Sequence, residues 1–108
     1  MCALPETMTV IAIAGKGGPE ALVPEVRPVP SPQDGQVLIR VEAAGVNRPD
    51  VLQRKGLYPA PKGHSDVPGL EVAGRVAAAG RGCSRFAVSD RVMEIGRALC
   101  RERVFITV

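Results

Sequence analysis

A glycine-rich turn follows the first apolar segment of the chain, and turns of this kind can bind phosphate. The apolar segment is residues 9–14, and the turn is Gly-Lys-Gly-Gly at residues 15–18. A phosphate loop needs Gly, Lys and then Ser or Thr in its last three places, but these places hold Glu-Ala-Leu at residues 20–22. The dinucleotide pattern also fails, because Glu20 replaces its third glycine and Pro24 interrupts the helix that should follow. The sequence therefore predicts a plain hairpin turn and disfavours nucleotide hydrolysis.

Asn47 and Tyr58 are the side chains with the clearest capacity for polar contacts to a ligand. An amide both donates and accepts hydrogen bonds, and a phenol hydroxyl donates at neutral pH. Donors of this kind stabilise negative charge that develops on a carbonyl oxygen. Both residues also have structural interpretations, since Asn47 can cap a helix that has Pro49 in its first turn, and Tyr58 can rest on apolar surface in a loop.

Other polar side chains of this region have mainly structural interpretations. Asp50 complements the positive end of a helix dipole, and Arg48 belongs on a solvated face. Glu71 lies among apolar neighbours and is interpreted as a paired structural carboxylate, while His64 decorates a loop. Cysteines are few and far apart, and none forms a C-x-x-C pair, so we expect free thiols: Cys2, Cys83 and Cys100.

Short elements separated by turns must position these residues. With 12 Gly, 10 Pro and few aromatic residues among 108, the chain predicts a mainly β domain with an aliphatic core and one or two short helices. Residues 36–44 alternate most clearly, with Val37, Ile39 and Val41 facing the core and Leu38 on the mostly solvated side. Extended segments are predicted at 9–14, 21–26, 36–44, 69–79 and from 89. A polyproline-like connector is predicted at 24–32. A helix is predicted at 47–55, and an irregular loop at 57–67.

Composition excludes several functional classes. The net charge of +3 is spread along the chain without a basic block, so we expect no nucleic-acid partner. No basic n-region precedes Lys16, and the uncharged segment at 7–15 is far shorter than the ~20 residues of a membrane span. We expect a cytoplasmic protein without a membrane partner.

The segment AGVNRPDVLQRKGLYP at residues 44–59 is specific enough to indicate a family. Together with GGPE at 17–20, PGLEVAG at 68–74 and DRV at 90–92, it resembles the N-terminal GroES-like catalytic domain of the medium-chain dehydrogenase/reductase superfamily. Within that superfamily it is most similar to the NAD(P)H quinone oxidoreductase branch, close to its p53-inducible subgroup. The resemblance covers residues 8–92 and implies a GroES-like, partly open β-barrel that is incomplete here.

The resemblance also implies an enzyme without zinc. Zinc alcohol dehydrogenases of this superfamily have a Cys ligand where this chain has Asn47, and a His ligand where it has Leu70. An amide and an aliphatic side chain do not replace a thiolate and an imidazole. The resemblance therefore implies that Asn47 contacts the NADPH cofactor and Tyr58 the substrate, a quinone or conjugated carbonyl, and that both are catalytic. Family members are often homo-oligomers.

The chain departs from the family pattern at its ends. Residues 1–7 are predicted to be a leader, and residues 93–108 an atypical tail of artefactual origin on a truncated enzyme, which would bind NADPH poorly by itself. The alternative is a non-catalytic, β-rich GroES-like binding or interaction module. Either way, an incomplete barrel leaves strand edges unpaired and apolar faces uncovered, so we expect marginal stability and weakly cooperative unfolding.

Overall fold

The structure is a computed structural model that describes residues 4–60, 62, 65–95 and the backbone of 104–107. Within these residues the chain forms strands, one α-helix and one short 3-10 turn. In chain order the elements are β1 (Thr7–Ile13), the 3-10 turn (Pro19–Ala21), β2 (Leu22–Pro28), β3 (Val37–Gly45), α1 (Arg48–Arg54), β4 (Glu71–Ala79), β5 (Arg91–Ile95) and β6 (Val104–Thr107). The prediction of a mainly β fold with short helical segments is confirmed.

β1 and β2 form a two-stranded antiparallel sheet in which Ile11 is the Cα partner of Pro24. The hairpin predicted at residues 15–18 is present, and the Ala14 N–H donates to the Ala21 carbonyl across it at 2.7 Å. The polyproline-like connector was predicted to begin too early, because Pro24 and Pro28 lie within β2. β2 pairs on one side only, and proline is tolerated in an edge strand where its missing N–H would face outward.

The second sheet has four strands in the order β5-β4-β3-β6. β3 pairs antiparallel with β4 and parallel with β6, and β5 extends to Ile95. Register shifts interrupt the β3–β4 ladder at two places, between Leu38 and Ile39 and between Val41 and Ala43. Both sheets are open, which agrees with an incomplete barrel.

The core lies against the first half of β3. Val37, Ile39 and Val76 form its buried cluster, and Phe86 and Val92 pack against it. The prediction that Leu38 faces solvent is wrong, because its side chain has 0% exposure. Leu38 lies on the strand face opposite its two neighbours, so both faces of this half of β3 are covered.

Apolar side chains remain exposed outside this core. Val26, Met93 and Ile95 are 67%, 80% and 63% exposed, respectively. These exposed side chains are those expected where strand faces lack a covering element, and the prediction of uncovered apolar faces stays a prediction. None of the described helices has the length and apolar character needed to cross a bilayer. Predictions for Cys2, His64, Cys100 and residues 96–103 lie outside the described residues, whereas Cys83 is a free cysteine, as predicted.

Candidate functional site

Asn47 stands at the N-cap of α1, where β3 has ended and the helix begins. Its backbone N–H donates to Oδ2 of Asp50 at 2.9 Å, and the Asp50 N–H donates back to the Asn47 carbonyl at 3.0 Å. Proline at the start of α1 supplies a φ that suits the first helical turn. The predicted cap, helix and first-turn acid are confirmed, and the backbone of Asn47 is fixed from both directions.

The side chain of Asn47 contacts β4. Its Nδ2 donates to Oε2 of Glu71 at 3.1 Å, so Glu71 is a paired carboxylate as the sequence indicated. Gly45 and Glu71 are Cα partners in the β3–β4 ladder. A Cβ at Gly45 would overlap the Glu71 carboxylate, so the glycine leaves the space that this side chain occupies on its way to Asn47.

The opposite end of α1 holds the β1–β2 turn. The Gly17 N–H donates to the Arg54 carbonyl, and Nε of Arg54 donates to the Gly17 carbonyl, both at 3.0 Å. Gly56 adopts a φ of +80°, and a Cβ there would press on the aliphatic stem of Lys16. The Gly17 amide therefore serves as an internal hydrogen-bond donor. This supports the hairpin interpretation over a phosphate loop.

Tyr58 lies in the loop that follows α1 and is 46% exposed. Its hydroxyl makes no hydrogen bond with another described residue. The far end of the loop is held by Asp66, whose carbonyl accepts from Nε2 of Gln53 at 2.8 Å and whose Oδ1 accepts from Nη1 of Arg27 at 2.8 Å. Tyr58 is thus an accessible donor on a loop fastened to both α1 and β2.

Arg27 forms a three-member charged network at this point. Besides Asp66 it contacts Oε2 of Glu25 at 3.0 Å. The hydrogen bond from Arg27 lowers the pKa of the Asp66 carboxyl and outweighs the opposing effect of desolvation, and a smaller Coulombic contribution from Arg27 lowers it further. Hydrogen bonds to Asp66 and then Glu25 raise the pKa of Arg27. The ion pair therefore persists at neutral pH.

The two predicted site residues occupy opposite ends of one helix. α1 has seven residues, which corresponds to about 10 Å of helix axis. No hydrogen bond joins Asn47 to Tyr58 within the described part of the chain. The two side chains are therefore positioned by different parts of the chain, the start of α1 and the loop that follows it.

A cavity of about 270 Å³ opens elsewhere, between the start of β3, the 82–86 segment and β5. Val37, Ile39, Phe86 and Val92 line it, and the same residues form or flank the hydrophobic core. Cys83 also lines it, with its thiol donating to the Gln36 carbonyl at 3.2 Å. We interpret this cavity as a gap in the core, and neither Asn47 nor Tyr58 borders it.

Side chains able to bind a metal do not cluster in the part of the chain that the structure describes. Across residues 4–60, 62 and 65–95, no three or more His, Cys, Asp or Glu side chains are grouped closely enough to hold a metal ion. At the start of α1, the side chains that could bind a metal are the Asn47 amide and the Glu71 carboxylate, which are already hydrogen-bonded to each other. This donor pair does not fit the thiolate and imidazole preference of zinc.

The match of the sequence to a family model, together with the fold, identifies the family of this chain. The alcohol dehydrogenase GroES-like domain matches residues 33–104, which is more than half of the chain. The chain therefore belongs to that family and carries the GroES-like domain of the medium-chain dehydrogenase/reductase superfamily, a group of oxidoreductases.

Relatives within the family have more than one description. The chain is 42% identical over 86 residues to a quinone oxidoreductase of Lama guanicoe, which covers 79% of this chain and 26% of the relative. It is 38% identical over 88 residues to the synaptic vesicle membrane protein VAT-1 homolog-like of Mus musculus, covering 82% of this chain and 21% of the relative. The chain thus spans about a quarter or less of the relatives it matches.

Solved structures agree with this assignment. A mycobacterial protein in complex with NADPH superposes with a TM-score of 0.68 at 39% identity, over 80% of this chain and 27% of the other. A cobalt- and zinc-bound thermostable alcohol dehydrogenase of Pyrobaculum aerophilum gives a TM-score of 0.71 at 35% identity, over 88% and 29%. Nicotinamide cofactors and metal ions therefore both occur among its structural neighbours.

Sequence reasoning missed how the site residues are held. Glu71 was interpreted as paired without a partner being named, and Arg27, Gln53 and Asp66 were not singled out at all. The sequence indicates only the pairing of Glu71, because a carboxylate beside the apolar strand residues of the E-V-A-G segment needs a partner. The partners lie 24 and 39 residues away in the chain, beyond any local pattern.

Proposed function

We propose that this domain forms the substrate-side wall of a zinc-independent NAD(P)H-dependent oxidoreductase that reduces quinones or related conjugated carbonyls. The observation that carries the proposal is the placement of two polar side chains at the two ends of α1, one fixed and one accessible. Asn47 is held at the helix start by Asp50 and Glu71, and the Tyr58 hydroxyl is exposed on the following loop. Similarity to a quinone oxidoreductase supports the choice of substrate class.

Each side chain has a separate role in this proposal. NADPH, when bound, supplies a hydride from its nicotinamide ring. Asn47 lies at the end fixed by the sheet and orients the cofactor through its amide, while Tyr58 donates a hydrogen bond to the carbonyl oxygen on which negative charge develops. The hydroxyl replaces the Lewis acid that a metal would supply. The phosphates are bound outside this domain.

The test is quinone-dependent NADPH oxidation by a chimera in which residues 8–92 replace the matching segment of the Lama guanicoe quinone oxidoreductase. Loss of one transition-state donor typically costs about 100-fold in kcat. We expect Tyr58→Phe to approach that loss and Asn47→Ala to raise KM for NADPH. Arg48→Ala is the control, since Arg48 is exposed and has no assigned role.

A folded chimera that binds NADPH and fails to oxidise it with any quinone would contradict the proposal. The same result would favour the non-catalytic binding module. Equal turnover by wild type and Tyr58→Phe would remove Tyr58 from the site while leaving the reductase assignment in place. Replacement of NADPH by NADH in the same assay determines which cofactor is preferred.

A further inference from the structure

We infer that Glu71 is a positioning residue that fixes the polarity of Asn47, so that Asn47 presents its carbonyl oxygen to the ligand and acts there as a hydrogen-bond acceptor. The assignment of this oxygen to a cofactor or substrate contact rests on the proposed function. The orientation of the amide rests only on contacts within the chain.

The first step is the identity of the amide atom that faces β4. An ionised carboxylate has acceptors only, so the atom of Asn47 that lies 3.1 Å from Oε2 of Glu71 is the nitrogen. The opposite orientation would place two oxygens against each other. The partner therefore decides the orientation of an amide whose two ends are otherwise alike in shape.

The second step is how firmly the pair is placed. The backbone of Asn47 exchanges hydrogen bonds with Asp50 in both directions. Glu71 is the first residue of β4 and the ladder partner of Gly45, which lies two residues before Asn47. The missing side chain at Gly45 allows the carboxylate to lie against the β3 backbone. Two strands and a helix start thus fix the relative position of the two side chains.

The third step is the consequence for chemistry. Glu71 is exposed, and an exposed polar contact contributes little to global stability. Its effect is on orientation, because it uses one N–H of Asn47 and turns the nitrogen toward the sheet. The Oδ1 atom faces the Asp50 backbone N–H in the capping box, and its second lone pair is left for a ligand that offers an N–H or O–H donor. Donation to a developing oxyanion then falls to Tyr58.

A reversed pair tests this polarity. Asn47→Asp alone sets two carboxylates against each other, whereas Asn47→Asp combined with Glu71→Gln restores the hydrogen bond with donor and acceptor exchanged. The double variant keeps an oxygen for the ligand and removes every side-chain N–H at position 47. Glu42→Gln is the matched control, since Glu42 is an exposed glutamate of the same sheet that pairs with Arg75.

The first measurement is NMR of side-chain amide resonances in the 108-residue chain. We expect Glu71→Ala to shift the Asn47 side-chain amide protons and speed their exchange with water, and Glu42→Gln to leave them unchanged. In the double variant, the amide of the glutamine at position 71 should show the slow exchange. An Asn47 amide that does not respond to Glu71→Ala overturns the orientation, whatever the enzyme activity.

The second measurement is the steady-state kinetics of the same variants in the chimera. We expect Asn47→Asp to lower kcat/KM about tenfold, the effect of losing one ligand hydrogen bond, and the double variant to recover most of that loss. In one outcome NMR shows the hydrogen bond between positions 47 and 71 restored in the double variant, while its kcat/KM stays as low as that of Asn47→Asp. This outcome would show that Asn47 donates to the ligand, and it would overturn the acceptor role. An inactive parent chimera would instead count against the proposed function, with the amide orientation still decided by NMR.

Discussion

The start of α1 and the loop that follows it are held by different kinds of contact. Asn47 follows the C-terminal end of β3, a strand that is paired on both sides and buries Val37, Leu38 and Ile39 in its first half at 6%, 0% and 1% exposure. Tyr58 lies on a loop held by exposed polar contacts, chiefly the Arg27–Asp66 ion pair. One end of the helix is therefore joined directly to a strand that is paired on both sides, and the other end to a loop held by surface electrostatics.

This difference suggests a division between a fixed and an adjustable half of the site. Packed interiors resist displacement, whereas loops with few buried contacts open at low free-energy cost. We therefore expect Asn47 to be in place before a ligand arrives and Tyr58 to adjust to acceptors of different shape. Each of the following experiments perturbs one half and compares it with the other.

The largest effect is expected from the core at the start of β3, the strand that leads to Asn47. Ile39→Ala removes a fully buried side chain and should lower the free energy of unfolding by about 2–5 kcal/mol. Ile11→Ala is the matched control, because the same side chain is 49% exposed on β1, and it should cost well under half as much. Urea denaturation followed by circular dichroism measures both. Similar losses at the two positions would contradict a core concentrated at the first half of β3.

A smaller and local effect is expected from the ion pair that fastens the loop. Arg27→Ala removes the partner of Asp66 and Glu25, so amide hydrogen exchange should accelerate at 57–60 and 65–67 without acceleration in β3. Glu42→Gln, which removes the exposed Glu42–Arg75 pair on the sheet, is the comparison. If both variants leave loop exchange unchanged, the ion pair does not hold the loop.

Gly45→Ala should separate the amide orientation from the stability of the sheet. The added Cβ would overlap the Glu71 carboxylate, which is the mobile end of an exposed side chain. We expect little change in the unfolding free energy and a shift of the Asn47 side-chain amide resonance like that of Glu71→Ala. A large loss of stability would instead mean that the backbone, and not the carboxylate, yields.

The smallest effect on the loop is expected from lowering the pH until the Asp66 carboxylate is protonated. The pKa of Asp66 is lowered by Arg27 in the folded chain, so its contribution is complete above the ordinary aspartate pKa of about 3.9 and is lost as the pH falls through the lower folded value. Hydrogen exchange corrected for intrinsic rates should therefore show the 65–67 segment loosening in this acid range. Asp66→Asn should abolish that pH dependence, and a loop that loosens with rising pH would reverse the predicted sign.

Local patterns were sufficient for several elements of this fold. Alternation predicted β3, the Asn-x-Pro-Asp sequence predicted the capped start of α1, and the glycine-rich turn was correctly distinguished from a phosphate loop because its essential Lys and hydroxyl are missing. Each of these properties depends on residues within a few positions of one another.

Properties that depend on tertiary neighbours were not predictable in this way. Leu38 is buried because its strand is covered on both faces, and Pro24 joins a strand because that strand has a free edge. The Asn47–Glu71 and Arg27–Asp66 contacts join residues 24 and 39 positions apart. Sequence alone identified the polar side chains of the candidate site but not the partners that orient them.

Metal dependence is the most direct test of the central claim that side-chain hydrogen bonds replace a metal in this domain. The chimera should be assayed for quinone-dependent NADPH oxidation before and after exhaustive chelation, with metal content measured in both samples and the parent quinone oxidoreductase treated in parallel. The account predicts unchanged turnover, no stoichiometric zinc, and a large loss of kcat only in Tyr58→Phe. Loss of turnover on chelation, restored by adding zinc, would contradict it.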